Sequence, residues 1–235
     1  MKFKPEHLAV VALTLISVTA VLSQPRLNDA VATVSFPIVS PTNAHTIVYV
    51  INYSDLITQL ALQPNAQLDP PTSEALSSAM ESVINQRLIL HAVLSDAQVH
   101  WAWPTEGENQ RMIAEIASIF QSRTEFENRL AKANLGSSDS SRFRIVLMYR
   151  WRIEKYIEKH FRTLANVTPE DEEEYYEDIF KPDFRRRYPG QLLPTFEEKR
   201  SEFNRILTEQ QVEAALKDEL TRLRREARIV ILKRF

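Results

Sequence analysis

Apolar residues recur at helical spacing most clearly over residues 72–94. Polar side chains fall off the face that these positions define, and the apolar face carries Leu76, Met80, Val83, Ile84, Leu88 and Leu94. Thr72 or Ser73 can cap this segment, because a hydroxyl placed just before the first turn accepts a hydrogen bond from a backbone N–H that has no partner inside the helix. The pattern predicts a buried helix.

The same spacing predicts further helices along the rest of the chain. They are a short helix capped by Ser54 or Asp55 and ending near Leu62, a helix over 109–120, a short helix opened by a capping box at 124–127 and ended by Gly136, a long helix capped within 138–141 and running through Leu164, an acidic helix opened by Thr168 and Pro169, and a helix opened by a capping box at 195–198 and running to about Ala227. Residues 180–190 contain two prolines, which indicates irregular structure there.

Three segments are typical of β-strands. Residues 30–36 and 45–51 are rich in β-branched and aromatic side chains, and residues 35–44 connect them. Residues 228–232 form a closing strand, which we expect to pair with one of the N-terminal strands because a lone strand leaves its backbone groups without partners. The predicted fold is therefore mainly α with a small β-sheet closed by N- and C-terminal strands.

Composition narrows the classes of function. The 235 residues are 44% hydrophobic and 26% charged, with a formal net charge of −2, whereas a nucleic-acid binder normally shows a basic surplus on one face. Only 3 glycines occur, which argues against phosphate-binding loops. With 0 cysteines, the protein has neither disulfides nor thiolate metal sites. We therefore predict no nucleic-acid partner, no small-molecule cofactor and no metal.

The first residues have the layout of a secretory signal peptide. Lys2 and Lys4 precede an apolar run over 8–22, and cleavage could follow Ala20 or Ser23. The run is shorter than the ~20 residues that span a bilayer comfortably, so an uncleaved inner-membrane anchor facing the periplasm is the alternative, and the only route to membrane contact. We expect a signal peptide over 1–23 and a single module over 24–235. That module comprises an N-terminal part (24–177), a linker (178–194) and a C-terminal helix and strand (195–235).

Four segments, in order, are similar to parts of the SurA and PpiD family of periplasmic chaperones. They lie at 51–56, 83–90, 167–176 and 223–232, with Asn52 standing where the family usually has Thr. In that family the two ends of the chain form a helical chaperone module, and parvulin prolyl-isomerase domains are inserted between them. Here the residues between Tyr176 and Pro194 are fewer than the ~50 that a domain needs, no Gly-Gly pair exists, and the histidines are scattered. The resemblance therefore implies a chaperone module without the isomerase domain.

The resemblance also implies a mechanism and a location. A protein of this type holds unfolded envelope or outer-membrane proteins in an apolar groove between helices, without ATP, in the periplasm. Its partners would be unfolded polypeptides, and it would not be an enzyme. Two alternatives of different class remain: a divergent peptidyl-prolyl cis-trans isomerase, and a non-catalytic envelope scaffold or interaction protein that is free or membrane-tethered.

Trp101 and Trp103 are the candidate client-binding residues. A Trp-x-Trp-Pro loop exposes much apolar area unless it packs or binds something, and we favour packing against the helices over client binding. We expect structural roles for His91 and His160, since no neighbouring motif orients either as a catalytic base. The acidic run at 170–174 indicates a solvated helix start rather than a metal site.

Overall fold

The computed structural model describes residues 26–39, 44–100 and 102–235. Within these residues the protein is mainly helical, with one small antiparallel sheet, as the sequence predicts. The predicted signal peptide over 1–23 and the candidate residue Trp101 lie outside the described residues.

The sheet contains three antiparallel strands, β1 (Ala30–Val39), β2 (Ala44–Asn52) and β3 (Arg228–Ile231), in the order β2-β1-β3. The closing strand β3 pairs with β1 over Ala32 to Ser35, which confirms the predicted pairing of the two ends of the chain. The N-terminal strands extend further toward each other than the sequence predicts, pairing up to Val39 and Ala44. Pro37 does not end β1. In the described sheet β1 pairs with β3 only over Ala32 to Ser35, so at Pro37 it has β2 as its single neighbour, and a proline is tolerated there.

The helices follow the sheet in chain order. They are α1 (Tyr53–Ala61), α2 (Ser73–Ser95), α3 (Ala97–His100), α4 (Glu106–Ser118), α5 (Arg123–Lys132), α6 (Ser141–Ile157), α7 (Pro169–Glu174), α8 (Lys181–Arg187) and α9 (Phe196–Glu226). π-Helical segments continue α6 over Glu158–Arg162 and α7 over Tyr175–Phe180.

Several helices begin at the capping residue that the sequence predicts, and three begin elsewhere. Hydroxyls of Thr72, Thr168 and Thr195 cap α2, α7 and α9 as predicted. In contrast, Asn52 precedes α1, Thr105 caps α4, which begins three residues upstream of the predicted start, and Ser122 rather than Thr124 caps α5. Near each of these starts, several polar side chains lie within a few residues of one another. Each of them can reach the first-turn N–H groups that have no partner inside the helix, so the sequence alone does not select one cap.

Within residues 180–190, where the sequence indicated irregular structure, residues 180–187 are helical and residues 188–190 are not. Pro182 lies at the junction between the π-helical segment and α8, and it has no N–H to donate to the preceding turn. Phe180, Phe184 and Tyr188 then follow at four-residue spacing, with successive ring centroids 5.6 and 5.1 Å apart. This aromatic row stabilises a short helix that Pro182 alone would disfavour.

The core lies between the sheet and the helices that follow it. α2 packs against one face of the sheet and against α1, α6 and α9, which makes it the central element. The largest fully buried side chains of this core are Phe126, Phe143, Ile51, Leu56, Leu60, Ile84, Leu88, Met112, Ile113, Leu130 and Leu147. A second aromatic cluster surrounds Phe203 and joins the π-helical continuation of α7 to the start of α9.

Candidate functional site

A groove of about 440 Å³ opens between α1, α2 and α6. Its lining side chains come from all three helices and are Asp55, Thr58, Gln59, Leu62, Val83, Gln86, Arg87, Leu90, Ile145, Val146, Tyr149, Arg150, Ile153 and Glu154. The groove therefore belongs to the packing of α6 against the α1–α2 pair. The π-helical continuation of α6 packs directly on α9 instead.

Polar pairs tie α1 to α2 along one wall. Nη2 of Arg87 donates to Oδ1 of Asp55 at 3.0 Å, and Nε2 of Gln86 donates to Oε1 of Gln59 at 2.8 Å. The other carboxylate oxygen of Asp55 accepts from the backbone N–H of Asn52 at 2.8 Å, at the start of α1. This wall is thus held by side chains that are already partnered within the protein.

α6 supplies the apolar wall. Ile145 is 53% exposed and Tyr149 is 39% exposed, although both are large apolar side chains on a helix whose other face is buried in the core. Arg150 and Glu154 stand beside them and form an ion pair, with 3.0 Å between Nε and Oε1. The opposite wall adds the buried side chains of Val83 and Leu90, which leaves an apolar surface edged by neutralised charges.

The groove combines apolar surface with charges that are already paired. Its acidic and basic side chains occur as the pairs Asp55–Arg87 and Arg150–Glu154, so they offer no net charge to a ligand. Burial of apolar surface is not directional and tolerates many sequences. The groove can therefore accept uncharged, apolar segments of a polypeptide.

Of the two tryptophans predicted to bind clients, the structure describes Trp103. Its side chain is 68% exposed, and the Arg152 guanidinium lies 5.2 Å from the ring centroid. Nε of Arg152 also donates to the carbonyl of Ala102 at 3.2 Å, which orients the guanidinium beneath the loop. Trp103 is not packed in the core, and it does not line the groove between α1, α2 and α6.

Sequence reasoning missed Ile145 and Tyr149. A signal was available, because these two apolar residues are four positions apart on α6 and therefore share one face. Arg144 precedes the first and Arg150 follows the second, so the pair interrupts an otherwise charged surface. An apolar pair on the charged side of an amphipathic helix indicates a second contact surface.

The two histidines discussed above make structural contacts. His91 of α2 stacks on Phe36 of β1, with 3.6 Å between ring centroids, and burial lowers the pKa of its imidazole. Nε2 of His160 and Nζ of Lys159 each lie 2.7 Å from Oδ2 of Asp96. Hydrogen bonds from Lys159 and His160 hold the pKa of the Asp96 carboxyl well below its usual range.

The acidic run at 170–174 is not uniformly solvated. Glu172 is buried against α9, where its carboxylate accepts from Nε of Arg200 at 2.8 Å and from Nδ2 of Asn204 at 2.7 Å. The hydrogen bond from Asn204 is the main cause of the lowered pKa of Glu172, and Arg200 adds to it. The expectation of a solvated helix start is therefore wrong for Glu172, because the π-helical turn after α7 packs this segment against α9.

The described residues contain neither a metal-binding cluster nor a membrane-spanning helix. Across 26–39, 44–100 and 102–235, no three histidine or acidic side chains are grouped so as to hold a metal ion. Among the helices of those same ranges, none combines the length and apolar character needed to cross a bilayer.

Comparison with known proteins adds no relative. The sequence matches no protein-family model, and no curated protein and no solved structure is significantly similar to this chain.

Proposed function

We propose that this chain is an ATP-independent chaperone module of the SurA type, which holds unfolded outer-membrane or other envelope proteins. The observation that carries the proposal is the exposure of Ile145 and Tyr149 in a groove whose charges are paired with one another. Exposed apolar surface of this kind is costly in water unless it serves an interaction. An unfolded polypeptide supplies the uncharged apolar segments that such a surface prefers.

The placement of the four family-like segments supports this proposal. Asp55, in the first segment, forms an ion pair with Arg87 in the second. Asn85, also in the second, accepts from Nη2 of Arg224 in the fourth at 2.8 Å. Three segments that are distant in sequence therefore bind one another directly, as parts of a single chaperone module would.

Export and the absence of isomerase activity belong to the same proposal. The apolar run over 8–22 supports delivery to the periplasm, with an inner-membrane anchor as the alternative. N-terminal sequencing of envelope fractions decides between a start near Val21 or Gln24 and an intact Met1. The residues between Tyr176 and Pro194, where the family inserts its parvulin domain, comprise the end of a π-helical segment, the short helix α8 and a non-helical stretch over 188–193. We expect no turnover of a proline-containing peptide in a coupled isomerase assay.

The holding function is tested by light scattering. The wild-type protein should suppress aggregation of an unfolded outer-membrane β-barrel protein without ATP, at near-stoichiometric ratio. The double variant Ile145→Ser/Tyr149→Ser removes the exposed apolar wall of the groove and should suppress aggregation less. Ile119→Ser is the matched control, since Ile119 is an equally exposed isoleucine at the end of α4, away from the groove lining.

The outcomes separate the candidate functions. If the double variant loses suppression while the control and the melting temperatures are unchanged, the groove holds clients. If wild-type protein gives no suppression even in excess, the chaperone proposal fails and the scaffold alternative replaces it. Peptide isomerisation that survives repurification and disappears on a histidine substitution would instead establish a divergent prolyl isomerase.

A further inference from the structure

The strand β2 forms a long edge of the described sheet. In the order β2-β1-β3, it pairs with β1 along its whole length, from Ala44 to Asn52. The opposite edge, β3, is only four residues long. The two edges therefore differ greatly in the length of backbone that they present.

About half of the residues of an antiparallel edge strand point their N–H and C=O groups away from the sheet. Among residues 26–39, 44–100 and 102–235, the backbone from Ala44 to Ile51 has no hydrogen-bonded neighbour other than β1. The outer edge of β2 therefore carries a row of unpaired donors and acceptors, which is a template for another strand.

β2 lacks the features that normally prevent edge pairing. Its sequence, AHTIVYVIN, contains no Lys, Arg, Asp, Glu or Pro. The register with β1 is uninterrupted from Ala44 to Ile51, and the bulge lies beyond it, at Ala30 and Ala32 of β1. Natural monomers usually protect long edges with charges, prolines or bulges. The edge of β2 therefore lacks the usual protection against pairing with another strand.

The open face of β2 is apolar at its centre. Val48 is 53% exposed and Val50 is 48% exposed, whereas Tyr49, between them, points to the face that packs on α2 and contacts His91. A strand added beside β2 would place its own alternate side chains next to Val48 and Val50. An uncharged, β-branched strand with the same alternation suits both the backbone edge and this face.

We propose that the occupant is β2 of a second copy of this chain, paired antiparallel across a two-fold axis. A full overlap of residues 44–52 places Val48 opposite Val48 of the other copy, and Thr46 opposite Val50. Neither edge carries a charge, so self-pairing brings no repulsion. Both edges are already extended, which avoids the ordering cost of ~1–2 kcal/mol per residue that an unfolded segment would incur. The pairing joins the two sheets into one of six strands, with an isologous interface.

A charge-complementation experiment tests this pairing. Val48→Lys places two like charges opposite each other and should weaken the dimer roughly tenfold or more in sedimentation velocity, and Val48→Glu should do the same. An equimolar mixture of the two variants should restore the dimer, because lysine then faces glutamate. Val230→Lys is the matched control, since Val230 lies on the same open face but on β3, and it should leave the dimer intact.

Hydrogen exchange supplies a second measurement. Amides of β2 should gain protection as the concentration of wild-type protein rises. Val48→Lys should abolish that gain without changing the melting temperature measured at dilutions where the wild-type protein is monomeric. A wild-type chain that is monomeric at every concentration overturns the proposal, as does a dimer that ignores both Val48 variants. Protection of β2 that appears only when an unfolded client is added assigns the edge to clients instead. The groove on α6 is a separate surface, so failure of the dimer leaves the chaperone proposal untouched.

Discussion

Asp55 and Arg87 form the ion pair that joins the first helix to the central helix, with 3.0 Å between Oδ1 and Nη2. The same carboxylate accepts from the Asn52 backbone N–H, so one side chain secures both the start of α1 and the wall of the groove. Both partners are more than two-thirds buried. A largely buried pair of this kind contributes more than a surface pair, because water screens it less.

A double-mutant cycle measures this contribution. We expect Asp55→Ala and Arg87→Ala to show a coupling free energy of about 1–2 kcal/mol in urea unfolding, since hydrogen bonds to charged groups contribute about 1.5–3 kcal/mol before partial exposure is considered. Arg111 and Glu115 are the control pair, because both side chains are mostly exposed, and their coupling should stay below ~0.5 kcal/mol. Equal coupling in the two cycles would contradict the role given to Asp55 and Arg87.

Local chemistry explains why much of the fold is predictable from the sequence. The hydroxyls of Thr72 and Thr195 lie beside the N–H groups that they cap, so the signal and its effect are a few residues apart. The closing strand is predictable for a different reason, since any isolated strand must find a partner and only two other strands were available. The predicted start of a helix is wrong where a neighbouring Ser or Thr competes to cap the same N–H groups, as Ser122 does with Thr124.

The groove could not be predicted in the same way. Its walls come from residues 55–62, 83–90 and 145–154, and no local pattern states how α6 crosses the α1–α2 pair. The burial of Glu172 likewise depends on Arg200 and Asn204, about thirty residues further along the chain. Such sites depend on tertiary packing. Helical periodicity shows which face of a helix is apolar, but it does not show which element packs against that face.

The pairing of β3 predicts a large effect of truncation. Deleting residues 228–235 removes the ladder from Ala32 to Ser35 and the hydrogen bond from Oγ of Ser35 to the Arg228 carbonyl. It also removes the contact between Phe235 and Tyr53, whose ring centroids are 6.1 Å apart. We expect a clear fall in the urea midpoint.

Two point variants show whether this loss comes from the core face of β3. Ile229 packs against the core, and Ile229→Ala should cost about 1–3 kcal/mol. Val230 lies on the open face, and Val230→Ala should cost under ~1 kcal/mol. A truncated protein with an unchanged midpoint would show that β3 does not stabilise the module.

His91 predicts a dependence of stability on pH. Burial against Phe36 lowers the pKa of His91 below the ~6.5 of an exposed histidine, and the charge of Arg222 acts in the same direction while Glu226 opposes it. The unfolded chain therefore binds more protons than the folded one just below pH ~6.5. The stability that the neutral ring contributes is complete above that pH and is lost as the pH falls toward the folded pKa.

Melting temperatures measured between neutral and mildly acidic pH test this relation. His91→Phe keeps an aromatic ring against Phe36 and removes the titration, so the decline on acidification should become shallower. His160→Gln is the control, because His160 binds Asp96 on another part of the surface, and the contribution of His91 should persist in it. A wild-type slope that is unchanged by His91→Phe would assign the pH dependence to other groups.

Trp103 predicts a loss of client holding without a loss of stability. Since its ring is 68% exposed and is held chiefly by the Arg152 guanidinium, Trp103→Ala should change the free energy of unfolding by no more than about 1 kcal/mol. Trp151 is the matched control, because its ring is buried on α6 and its Nε1 donates to Glu108 at 3.1 Å. Trp151→Ala should cost about 3–5 kcal/mol.

If Trp103 belongs to the client surface, Trp103→Ala weakens suppression of aggregation in light scattering at an unchanged melting temperature, and combining it with Ile145→Ser weakens suppression further. Full suppression by Trp103→Ala would remove this tryptophan from the client surface and leave the α6 groove as the place where clients bind.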